Sequence, residues 1–188
     1  MAIFVTLIAH APTAATRTAA FPADEAVLIG AKAIAASLSL PASLGQPLSA
    51  APEARTRETA KALSGSVVID PALRDCDYGR WAGKSLTSLQ LDEPAALAEW
   101  RHEFHAKPHG GESFADVQNR IIGWLDALTA FRGQVCAVTH PPVMRAALVY
   151  VLGAPPAAFW RIEIGTLGMV RLSHDGKSWK LQELRAVH

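Results

Sequence analysis

Two histidines of this chain stand where chemistry is easiest to build. His10 comes just after an apolar run over residues 3–8, separated from it by Ala9, and His140 follows directly on a second run over residues 135–139. Imidazole has the side-chain pKa closest to neutrality, so it can carry protons, attack an electrophile or hold an anion. An unbroken run of apolar and β-branched residues reads as a strand buried on both faces, the kind found inside a parallel sheet. Ligands of open α/β sheets bind beyond the carboxyl ends of the strands, so neighbouring strands would set both imidazoles over one pocket. The plain alternative is two unconnected loop histidines.

The elements needed to hold such a pair follow in order. Residues 12–22 read as a loop carrying Arg17, and Val27, Leu28, Ala31, Ile34, Ala35 and Leu38 take helical spacing in a segment ending near Pro41. Residues 46–50 suit a short strand, Pro52 suits the first turn of a helix through Leu63, and residues 67–69 give another strand. This βαβαβ order predicts an α/β three-layer sandwich, a mostly parallel central sheet flanked by helices. Residues 73–83 form a charged, aromatic loop, and a helical insertion at about 84–110 follows within a single domain over 1–188. Ser113 caps the clearest helix, with Phe114, Val117, Ile121, Trp124, Leu125 and Leu128 on one stripe. After a helix from about Pro142 to Leu152, residues 160–164, 169–172 and 179–184 read as closing strands.

Composition narrows the partners. With 18 Lys and Arg against 17 Asp and Glu, the net charge of +1 gives no general attraction to nucleic acid or an anionic membrane, so any anion binding must be local. The first apolar run is too short to span a bilayer and has no preceding Lys or Arg, which argues against a signal peptide. Two cysteines, Cys76 and Cys136, argue against a disulfide framework, and a reducing cytoplasm suits them. The spacing of His102, His105 and His109 touches on metal ligation, but the stretch lacks cysteine and sits at a helix-to-loop junction, so no metal is expected. No Gly-x-Gly-x-x-Gly follows the first strand, which removes the nucleotide-cofactor reading.

Five short segments in order, Ala9-His10-Ala11-Pro12-Thr13, Arg55-Thr56-Arg57-Glu58-Thr59, Asp75 to Gly83, Gly111-Glu112-Ser113 and His140 to Arg145, together resemble the histidine phosphatase superfamily, branch 1, the phosphoglycerate-mutase-like family. The resemblance implies that fold, a phosphohistidine mechanism without metal or cofactor, and a small phosphorylated substrate or phosphate-like anion as partner. It makes His10 the nucleophile, Arg55 and His140 the ligands of the phosphoryl oxygens, and Asp75 the acid and base, where many relatives carry glutamate. Thr13, Arg17, Glu112 and Arg145 become substrate-binding candidates, Ser113 remains a helix cap, and Arg57 is expected to pair with Glu53 on the exposed helix face.

The family's first motif is Arg-His-Gly, and here Ala9 replaces its arginine. Losing one preorganised donor costs roughly 10²- to 10³-fold in rate, and losing a neighbouring cation is expected to leave His10 more readily protonated. Arg17 or Arg145 could supply the missing guanidinium. Two readings follow: a phosphatase on a small phosphomonoester, at a reduced rate, or a non-catalytic relative that binds a phosphorylated or anionic ligand. The segment Asp75-Cys76-Asp77 lacks the Glu-Arg-His pattern of the family's glycolytic mutases, which favours hydrolysis over mutase chemistry.

Overall fold

The computed structural model describes residues 2–38 and 47–185. A six-stranded sheet in the order β3-β2-β4-β1-β5-β6 forms the centre. Its strands are β1 Ile3–Ala9, β2 Leu48–Ala50, β3 Val67–Ile69, β4 Gly133–Thr139, β5 Met169–His174 and β6 Trp179–Arg185. The first four run parallel where they pair; β5 lies antiparallel to β1, and β6 to β5. The expected α/β sandwich is the fold observed.

Alternation along the strands feeds two cores. Ile8, Cys136, Val138 and Met169 pack with Ile34 and Ala60 of α2 (Ala31–Ser37) and α3 (Ala54–Leu63). Val5, Leu7 and Ala137 pack on the other face with Val117 and Ile121 of α6 (Phe114–Leu128) and Val143 and Ala147 of α7 (Pro141–Val151). Ser113 caps α6 in a capping box with Asp116, as its sequence predicts. The stretch over about 84–110 holds two helices, α4 (Leu86–Asp92) and α5 (Pro94–His102).

Three expectations change. The segment after β1 is not all loop, because Thr13 and Thr16 close a reciprocal capping box that starts α1 (Ala14–Thr18). Residues 160–164 are not a strand; Pro156–Arg161 forms a 3-10 helix that packs Phe159 into the core, and Pro155 and Pro156 favour that turn over a ladder. The helix built on Val27 and Leu28 begins only at Ala31; its expected end near Pro41 and the strand start at Gln46 lie outside the described residues.

Candidate active site

The register of β1 and β4 brings the histidines together. Ala9 pairs with Thr139, and the His10 N–H donates to Thr139 O at 3.0 Å, so both strands release their histidines at one level. The ring centroids are 5.2 Å apart. His10 is 3% exposed, and its Nδ1 lies 2.8 Å from Ala11 O. A carbonyl only accepts, so the ring proton sits on Nδ1 and the neutral ring keeps its lone pair on Nε2. Burial, followed by the nearby charge of His140, pulls the His10 pKa down to about 3. Whatever the loss of a cation at position 9 contributes, burial is the largest influence on this ring. Thr59 Oγ1 accepts the Ala11 N–H at 2.9 Å and donates to Arg55 O, tying the carbonyl that orients His10 to α3.

Arg55, on the first turn of α3, is 2% exposed and has all its nitrogens engaged. Nε donates to His140 Nδ1 at 3.3 Å, one terminal nitrogen to Ala23 O at 2.8 Å, and the other to Asp75 Oδ2 at 2.7 Å. His140 Nδ1 also lies 3.3 Å from Asp75 Oδ2. The sequence reading missed Glu53 as a site residue. Its Oε2 is 2.9 Å from His140 Nε2, and its Oε1 accepts the Asp75 N–H at 3.0 Å. Burial works to raise the Glu53 pKa, but its hydrogen bond to His140 and that ring's charge prevail and lower it to about 2. The expected Glu53–Arg57 pair does not form: Arg57 is exposed while the Glu53 carboxylate turns to the histidine. Glu53 sits in the connection after β2, and that position beyond a strand's carboxyl end was the signal available. The inner cluster thus sets two carboxylates against one guanidinium.

Asp75 lies in a loop braced from α6. Arg120 donates to the carbonyls of Ala72, Arg74 and Asp75 and pairs with Glu112 at 3.0 Å. Glu112 also binds Arg74 at 2.6 Å and the Asp77 N–H at 3.1 Å, so it supports the loop that carries Asp75. Two close backbone approaches need glycine. A Cβ on Gly111 would lie 2.0 Å from Asp77 O, and one on Gly79, at φ +48, 2.2 Å from His109 O. His109 is buried against Trp81, whereas His102 and His105 are exposed. Thr13 is buried, with its hydroxyl engaged in the cap of α1.

Arg17 and Arg145 line a pocket of about 760 Å³ whose wall includes Pro12 and Pro141, beside the two histidines. Neither bonds to His10. The Arg145 guanidinium lies 5.8 Å from the Phe159 ring centre, its Nε is buried without an acceptor, and burial lowers its pKa. Tyr78 and Trp100 pack in the aromatic core and also line this pocket. Ala9 is fully buried in the core on the α6 and α7 side of the sheet.

The model of the histidine phosphatase superfamily (branch 1) matches residues 28–187, and the chain belongs to that family. It is 30% identical over 106 residues to phosphoserine phosphatase 1 of Hydrogenobacter thermophilus, covering 55% of this chain and 50% of that protein. It is 32% identical over 114 residues to glucosyl-3-phosphoglycerate phosphatase of Mycolicibacterium vanbaalenii, covering 54% and 51%. The match to a bifunctional protein of Mycobacterium tuberculosis covers 34% of that protein, so the chain spans about half or less of the length of these curated relatives. The native structure of a mycobacterial glucosyl-3-phosphoglycerate phosphatase superposes with a TM-score of 0.84 at 25% identity, over 99% of this chain and 100% of that one. Structures of that phosphatase hold VO3 and inorganic phosphate.

Proposed function

We propose that this protein hydrolyses a small phosphomonoester through a phosphohistidine formed on His10. The observation that carries the reading is the anchored imidazole: Nδ1–H is fixed on Ala11 O, the ring is neutral, and the lone pair of Nε2 is available to phosphorus. In the first step Nε2 bonds to phosphorus as the ester oxygen leaves. The phosphoryl oxygens compete with Asp75 for Arg55, and the freed carboxylate takes the proton carried by the monoanionic ester and passes it to the leaving oxygen. In the second step water attacks phosphorus, Asp75 takes its proton, and the N–P bond breaks to give orthophosphate. Such transfer depends chiefly on positioning and charge stabilisation. A 26%-identical mycobacterial phosphatase whose structure is a complex with inorganic phosphate supports a phosphate-type ligand for this chain.

A second reading, ligand binding without turnover, rests on Ala9 and on the two carboxylates that already satisfy Arg55 and His140. Hydrolysis of an aryl phosphate by the intact chain, His10→Ala and Asp75→Asn separates the two. Turnover that disappears with His10→Ala supports the phosphatase; phosphate binding without turnover in the intact chain supports the second reading.

A further inference from the structure

Beside the histidine pair the distribution of charge reverses. Arg55 gives its donors to Asp75, His140 and Ala23, and Glu53 holds His140. The adjoining pocket of about 760 Å³ is instead lined by Arg17 of α1, Arg101 of α5 and Arg145 of α7, with no Asp or Glu in its wall. Among the described residues none of these three guanidinium groups makes a hydrogen bond or ion pair; Arg101 and Arg145 lie 5.8 Å from the ring centres of Trp160 and Phe159. Glu163, whose charge reaches Arg145, forms no ion pair with it. Two donors in this wall, Arg145 Nε and Trp100 Nε1, are buried without an acceptor. Buried donors are normally satisfied, and a guanidinium fork matches carboxylate or phosphate oxygens. Phe21, Tyr78, Trp100 and Trp160 supply flat apolar surface between the cations.

We infer that this pocket is a second anion subsite, and that it takes the leaving group of a phosphomonoester whose aromatic or apolar body carries its own carboxylate. The inference rests on the phosphatase reading for the phosphoryl end of the ligand, at His10. Three cations from three separate elements exceed what one phosphoryl group calls on, and the aromatic wall suits the body that joins the two anionic ends. The insertion contributes Trp100 and Arg101, so the element packed above the sheet becomes the one that selects the substrate.

The test compares 4-carboxyphenyl phosphate with phenyl phosphate on the full chain, Arg101→Gln and Arg145→Gln. The expected result is a kcat/KM about tenfold or more higher for the carboxylated ester, carried mainly by KM, with a ratio that falls toward one in each variant. Hydrolysis of both esters at equal efficiency overturns the subsite and leaves the phosphatase reading intact. If neither ester is hydrolysed, calorimetry with the same two compounds decides. Tighter binding of the carboxylated one, weakened by Arg101→Gln, keeps the subsite and removes turnover; equal binding overturns the subsite.

Discussion

Glu53 Oε2 lies 2.9 Å from Nε2 of His140, which puts a carboxylate on the second histidine of the pair. Replacing it with a neutral amide of the same shape removes a charge that repels phosphate while retaining a hydrogen-bond acceptor. Glu53→Gln is expected to tighten inorganic phosphate binding by about tenfold, the scale of one pKa unit of charge interaction. Calorimetric titration checks this. Weaker binding in Glu53→Gln would mean that the charge is needed to hold His140 in place.

Burial of His10 makes stability depend on pH. Its pKa falls from 6.5 to about 3 on folding, so the unfolded chain binds more protons between those values. Stability from this group is complete above pH 6.5 and is lost as pH falls toward 3, at up to about 1.4 kcal/mol per pH unit. Glu53, lowered from 4.5 to about 2, adds a loss in the same direction only below pH 4.5. Urea unfolding between pH 7 and pH 5 is therefore expected to show a slope that His10→Asn flattens; an unchanged slope would count against a neutral, buried His10.

Arg120 holds the loop of Asp75 through three carbonyls and Glu112. Arg120→Met leaves those acceptors and a largely buried carboxylate short of a donor, a cost of roughly 3 kcal/mol or more. Adding Glu112→Gln to that variant is expected to recover part of the loss in urea unfolding. No recovery would show that the carbonyls, rather than the carboxylate, carry the cost.

Position 9 can be tested directly. Ala9→Arg adds a cation to a cluster in which Glu53 and Asp75 outnumber Arg55, and it is expected to raise kcat/KM for an aryl phosphate by roughly 10²-fold. Ala9 is fully buried, so the same change is expected to lower stability by about 1–3 kcal/mol. Thermal unfolding and steady-state kinetics on one preparation read both effects. Unchanged kinetics in a folded variant would show that the missing guanidinium does not limit the rate.

The buried strands were legible because 3–8 and 135–139 are unbroken apolar runs, and their histidines met because parallel pairing places Ala9 opposite Thr139. Arg55 and Asp75 came from motif order, and the structure brings them into contact. Glu53 was hidden because helix spacing offered Arg57 as its partner, whereas a helix-start residue can turn its side chain toward the sheet instead. Arg120 was hidden too, because its acceptors are main-chain carbonyls of a distant loop, which leave no mark in side-chain pattern. The 3-10 turn at Pro156–Arg161 escaped because its apolar residues fill a core position that a strand would also fill.

The most direct test of the phosphohistidine mechanism is mass analysis after mixing the protein with excess aryl phosphate and quenching in alkali, where the N–P bond survives. The mechanism predicts a species heavier by one phosphoryl group, mapped to His10 and absent from His10→Ala. Turnover with no such adduct, or an adduct that persists in His10→Ala, would contradict it.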